Sequence, residues 1–334
     1  MKWFSLLLPI FFLCGCWDYN EAAMQEYVLG IGVDLNKDES YLVTIETADL
    51  SGSPESQSKS KLLTAEGKNL FDAIRNAISH AGKKLYWGHC ELIVIDDSIK
   101  NEKLHEVLDV FLRAQDVYQT VTLTVAQGAS AAEVFSTDYS GSDSVTAHCL
   151  HIFQNQASSR RFQQCELWEY VQSSGDLGCV ILPTISISNG MAQISGGAVY
   201  RDESLLGVLS GEEILFLSLL TEDVSGGWLP SIQVLPQTSI STEILAGTLS
   251  TTKTPTLILS VAISSSDTSF DVSDQTIRQK VEQKIEQYVN QGVNALIERA
   301  KHEEFSELLP SDFQQIKVTV RLRNSGMRTS KGAI

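Results

Sequence analysis

The sequence predicts an α+β protein of several domains: a mixed α/β structure of mostly antiparallel sheets packed by helices, with one long C-terminal helix. Three observations predict it. In the first half, short runs rich in β-branched and apolar residues alternate with segments of helical period. In the second half, residues 231–264 are rich in Thr and Ser, with apolar residues in alternation. Residues 275–301 then hold helical spacing over a length no other segment matches. The 334-residue length exceeds what one core usually holds. A composition of 43% hydrophobic and 20% charged residues describes a folded chain.

Each element has its local reason. Residues 27–34 and 41–47 read as a hairpin, because Asn36, Lys37, Asp38 and Glu39 between them are turn material. Residues 51–60 form a Ser-rich polar loop. Helical spacing appears in 69–81, with Leu70, Ile74, Ala77, Ile78 and Ala81 on one face and Gly82 as the stop. Residues 91–95 make a short buried strand. The helix 102–113 turns Leu104, Leu108, Phe111 and Leu112 inward, and 119–125 alternates as a strand. Segments 129–135 and 161–171 are helical. Two strands, 180–188 and 191–201, flank Asn189-Gly190, the strongest short hairpin signal. A strand at 205–209 and a helix at 211–220 precede the break at Gly226-Gly227. Two or three strands fill 231–264. The long helix carries Ile277, Val281, Ile285, Tyr288, Gly292 and Leu296 inward, with Arg278, Lys280, Glu282 and Glu286 on its outer faces. A last strand spans 316–322, and the tail from Asn324 is polar.

The first residues have the shape of an export signal. Lys2 is the positive start, residues 3–13 are apolar, and Leu13-Cys14-Gly15-Cys16 closes the run. Cleavage between Gly15 and Cys16 would leave Cys16 as the new N-terminus, with a thiolate able to take a diacylglyceryl group. The apolar run is shorter than the roughly twenty residues a bilayer span needs. The expected organisation is a removed signal peptide at 1–15, a lipidated tether at 16–25 and an N-terminal α/β domain at 26–190. A small middle unit at 191–225 and a C-terminal domain at 226–334 follow. Two strand orders are open for the N-terminal domain. The helices at 69–81 and 102–113 would cover a sheet built on 91–95 and 119–125. If the hairpin 27–47 pairs with 180–188, residues 69–171 become an insertion.

Charge narrows the function classes. With 41 acidic and 25 basic residues the net charge is -16, and loss of Lys2 makes it -17. Such a body is repelled by phosphate backbones, so no nucleic-acid partner is expected. An anionic lipid surface repels it as well, and the lipid tether must hold it against that force.

The chain offers no catalytic constellation, no metal ligand set and no cofactor signature. His148 and His151 share a helical face and would need Cys165 or Cys179 to approach a zinc site, and no Cys-x-x-Cys pair supports one. His89, Cys90 and Glu91 are neighbours on a strand, so adjacent side chains point to opposite faces. Gly30-x-Gly32 lies inside a strand, and Asp96-Asp97 reads as a strand-ending turn. Cys90, Cys149, Cys165 and Cys179 are expected as buried free thiols. Export permits two disulfides, whose pairing the spacing does not choose.

Several segments in order resemble the C subunits of spore-germination (germinant) receptors, the Ger(x)C lipoprotein family. Cys16-Trp17-Asp18 with Glu21 is similar to that family's start, and Gly30-Ile31-Gly32-Val33-Asp34 follows. Then come the stretch from Leu85 through Gly88, His89 and Glu91 to Ile95, and the helix around Val107 to Arg113. Leu182-Pro183, Gly196-Gly197-Ala198-Val199-Tyr200 and Leu205-Leu206-Gly207-Val208-Leu209 complete the series. No single motif is specific; the ordered series is. The resemblance implies a non-enzymatic, lipid-anchored subunit on the outer face of the spore inner membrane, partnered by A-type and B-type membrane subunits. It assigns no ligand-contacting residue. The alternative is a stand-alone lipoprotein that captures a solute for a transporter, which would need two similar lobes around a cleft.

Overall fold

A computed structural model describes residues 24–48, 60–137, 144–176, 178–250, 255–310 and 316–323. Gly15, Cys16 and the tail from Asn324 lie outside the described residues. The described chain forms thirteen strands in two sheets and eight α-helices.

The first sheet contains β1 (Gln25–Leu35), β2 (Tyr41–Ala48), β3 (Ser60–Gly67), β4 (Lys84–Tyr86), β5 (Leu92–Asp96), β6 (Thr122–Ala126), β7 (Val180–Ser188), β8 (Met191–Arg201) and β9 (Ser204–Leu209). Its order is β3-β2-β1-β5-β6-β7-β8-β9, with β4 beside β1. β1, β5, β6 and β7 run parallel in the middle. β2 and β3 on one side, and β8 and β9 on the other, are antiparallel wings. Both expected hairpins exist, but the hairpin 27–47 does not pair with 180–188, because β5 and β6 stand between them. Residues 69–171 are therefore no insertion; they supply the centre of the sheet. The cause is visible in β5. Leu92, Ile93, Val94 and Ile95 are all fully buried. A strand apolar on both sides must be covered on both faces, which only a central position provides.

The helices are α1 (Leu70–Ala81), α2 (Glu102–Arg113), α3 (Ala131–Phe135), α4 (Val145–Gln154), α5 (Gln156–Ser159), α6 (Leu167–Asp176), α7 (Gly211–Thr221) and α8 (Gln275–His302). On one face of the first sheet, residues of α1, α2 and α6 pack with Ile93, Ile95, Leu123 and Val125. On the other, α3 and α4 pack with Leu92, Val94 and Ile185. α1 starts at Asn69, whose side chain accepts from the Asp72 N–H at 2.8 Å. It stops at Gly82 in the left-handed region, φ 66°. In α2 the buried stripe is Leu104, Val107, Leu108 and Phe111. Leu112, expected inward, sits one step off that stripe and is 40% exposed.

Three further expectations shift. β3 and β4 occupy segments whose burial is too slight to show period-2 patterning. The segment 161–166 is not helical. Cys165 C=O accepts from the Leu123 N–H at 2.9 Å, so the chain lies along β6 until α6 starts at Leu167. Residues 191–225 have no core of their own, because β8 and β9 extend the first sheet. Ala198 and Tyr200 join the α1–α2 core, whereas Val199 joins the core of α7 and α8.

The second sheet, β10 (Trp228–Leu235), β11 (Thr238–Ser250), β12 (Thr256–Ser266) and β13 (Lys317–Leu322), runs in that order. α7 is buried on every side from Ile214 to Leu220, so it acts as a central rod between the sheets. A Cβ on Gly292 of α8 would overlap the Phe216 ring, which explains a glycine inside a long helix. Glu282 and Glu286, expected on outer faces, accept instead from the Leu322 and Val320 N–H groups at 2.8 and 2.9 Å. These contacts cover the exposed edge of β13. Arg299 of α8 ties that helix to α7 and β9, bonding Glu213 at 2.7 Å and the Val208 carbonyl at 3.0 Å, and it also holds Glu303 at 2.9 Å. No helix among the described residues is long and apolar enough to cross a membrane.

Candidate functional site

Two buried carboxylates organise one side of the first sheet. Asp34 at the end of β1 accepts from the Ala131 and Ala132 N–H groups of α3 at 2.7 and 2.9 Å. Glu46 of β2, fully buried, accepts from the Val145 and Thr146 N–H groups of α4 at 2.8 and 2.9 Å and from Ser144 Oγ at 3.0 Å. Each charge is placed against the unpaired donors of a helix start. Burial pushes the Asp34 carboxyl up to about 6; its two backbone donors pull it back, and the nearby Asp96 charge adds to the rise. The Gly30-x-Gly32 pattern now has a packing role. A Cβ on Gly32 would lie 3.0 Å from Ala131 Cβ, and one on Gly30 would overlap Thr146 Oγ1. The glycines let α3 and α4 sit directly on β1, and Asp34 then reaches the start of α3.

The motifs weighed for chemistry do not converge. His89 stacks near Tyr27 and Tyr86, with ring centroids 5.5 and 5.8 Å away. Cys90 beside it points inward and is buried. Burial pushes the thiols of Cys90, Cys149 and Cys165 up to about 12 and that of Cys179 to about 11. All four are free and buried, so none is an activated nucleophile. His148 and His151 of α4 line an open cavity of about 680 Å³ with Phe162, Met191 and Gln193. Cys165 and Cys179 belong to two other cores, so neither joins that pair. Asp96 ends β5 as an acidic turn, accepting from the Ser98 N–H at 2.9 Å.

A largely apolar groove of about 540 Å³ lies between α1 and α2. Phe71, Ile74 and Ile78 of α1 face Val110 and Phe111 of α2 across it, and Leu85 and Trp87 close one end. Phe71 is 53% exposed despite its size. The Arg75 guanidinium lies over its ring at 5.0 Å. Arg75, Lys84 and Arg113 stand at the rim with Asp109 and Asp116. Asp109 holds Arg113 at 2.6 Å. Sequence reading along the inward stripes passed over this groove. Its signal was an off-stripe Phe71 four residues before Arg75, a pair that meets on a helix surface. The arrangement can receive apolar chain or surface.

The comparisons with known proteins follow the same series of elements. A sequence model described as the spore germination protein N-terminal domain matches residues 18–187. Among curated relatives, the Bacillus subtilis (strain 168) spore germination protein B3 is 23% identical over 69% of this chain and 65% of its own length. Spore germination protein KC of that strain is 28% identical over 39% of this chain and 34% of its own length. Spore germination protein A3 is 22% identical over 64% of this chain and 59% of its own length. The match thus spans less than two thirds of each relative. The crystal structure of the GerBC protein has the same fold, with a TM-score of 0.50 and 18% identity over 89% of this chain and 97% of that one. With just over half of its residues covered by the family's domain, the chain belongs to the Ger(x)C family of spore germination proteins.

Proposed function

We propose that this chain is the lipid-anchored C subunit of a nutrient germinant receptor. It acts without catalysis, by contact with A-type and B-type membrane subunits on the outer face of the spore inner membrane. The observation that carries this reading is positional. The family domain begins at residue 18, two residues after Cys16, where the export signal would leave its acylated N-terminus. Two acyl chains give stable anchoring at about 0.8 kcal/mol per buried CH2. The four deeply buried thiols and the open apolar groove fit a body built for contact. The sheets differ in size and order, which favours this role over solute capture between two similar lobes.

The anchor is tested with Cys16→Ala. That variant should lose fatty-acid labelling and leave the membrane fraction unless partners hold it; normal labelling and processing would refute the anchor. Deletion of the chain from a spore former should slow germination with one class of nutrient, with sporulation and receptor-independent germination intact. Loss of solute uptake in growing cells, with every nutrient response normal, would support solute capture instead.

A further inference from the structure

The described chain joins the fold beside the groove. Gln25, Glu26 and Tyr27 pair in register with Lys84, Leu85 and Tyr86. Lys84 and Leu85 are themselves part of the groove wall. Eight residue steps separate Cys16 from Met24. Fully extended they reach at most about 29 Å. A bilayer holding Cys16 therefore lies within that distance of Met24, the residue before the Gln25–Lys84 pair at the groove wall.

The groove's chemistry suits that neighbour. Its floor is apolar, with Phe71, Ile74, Ile78 and Val110 open towards solvent. Trp87 lines it, and Tyr27 and Tyr86 pack edge to face nearby at 5.6 Å. Amphipathic aromatic rings and long cationic side chains together are the composition of a membrane interface. The charge balance is local. Three cations and two carboxylates stand at the rim, in a chain where acids outnumber bases 41 to 25. An anionic bilayer repels the body as a whole, and this rim is a face it can approach. The opposite end of the sheet offers a contrast. β1, β5, β6 and β7 are parallel, so the β7–β8 turn lies at the far end from Gln25. Eleven residues of β1 separate the two ends by roughly 35 Å.

We propose that the α1–α2 face is a membrane-docking surface. The groove takes lipid acyl chain against Phe71, while Arg75 and Lys84 meet headgroup phosphate. The tether then fixes the orientation of the body as well as its location. This inference rests on the anchor at Cys16.

The test uses the full lipidated chain in vesicles of phosphatidylglycerol and phosphatidylethanolamine. An environment-sensitive NBD probe is attached singly at Gln115→Cys, exposed beside the groove, or at Met191→Cys, exposed at the β7–β8 turn. The native thiols of the described body are buried and do not compete. Docking predicts that lipids spin-labelled near the headgroup quench the Gln115 probe several-fold more than the Met191 probe. Arg75→Glu combined with Lys84→Glu should remove most of that difference. Equal quenching at both sites in protein that floats with the vesicles overturns docking and leaves the anchor intact. Protein that does not float with the vesicles overturns the anchor, and docking falls with it.

Discussion

The two helical covers of the nine-stranded sheet are built by opposite rules. On one face, α3 and α4 are locked down: Asp34 and Glu46 accept their first N–H groups, and Gly30 and Gly32 let them press on β1. On the other, α1 and α2 share a core beneath but part at the surface, leaving Phe71 and the groove open. The sealed cover spends its polar groups on its own cohesion. The open cover leaves Phe71 and a cationic rim exposed, and those are the groups that can meet something else. In a chain with no catalytic cluster among the described residues, this difference is the clearest guide to where function sits.

The strongest way to break the comparison is to cut the lock. Glu46→Ala leaves two backbone donors and Ser144 Oγ without their buried acceptor. The expected loss is about 3–5 kcal/mol in chemical denaturation. A loss below about 1 kcal/mol would mean that the carboxylate is not what holds α4.

Under the open cover, Leu108 is the matching test. It is 3% exposed and packs in the core below α2. Leu108→Ala should cost about 2–5 kcal/mol. That outcome would show that the groove is a surface feature over a well-packed layer. A cost near zero would mean that the whole cover is loose.

A third measurement follows the Asp34 cap. The folded Asp34 pKa of about 6 lies above its ordinary 3.8. Its contribution to stability is therefore full below about pH 4 and is lost as pH rises through 6, by up to about 3 kcal/mol. Asp34→Asn should remove that fall. The check is the difference in denaturation midpoint between pH 4 and pH 7, compared between native chain and variant. The same pH difference in both would show that Asp34 stays ionised in the fold.

The sequence made the open cover's core legible and hid the sealed cover's logic. Helical spacing marks Leu104, Leu108 and Phe111, and Asn189-Gly190 marks the β7–β8 hairpin, because each signal is written in a short local stretch. Asp34 and Glu46 act across 97 or more residues, a separation no local pattern reports. The central place of β5 and β6 escaped the 27–47 with 180–188 pairing for the same reason: strand order is decided by which faces must be covered. Glu282 and Glu286 read as solvated charges because β13 lies beyond the helix that carries them. The family series Gly30 to Asp34 was visible as a motif, whereas its purpose, seating two helices on a strand, needed the packed structure.

The central claim is that the open α1–α2 face, and not the sealed one, carries the contacts of the proposed subunit. The direct measurement is nutrient germination of spores carrying Phe71→Ser with Arg75→Glu, with protein level and thermal midpoint followed in parallel. Phe71 is exposed and Arg75 stacks on it from solvent, so the midpoint should stay within about 2 °C. The account predicts slowed nutrient germination at unchanged protein level. Germination at the native rate, with the protein present in full amount, would contradict it.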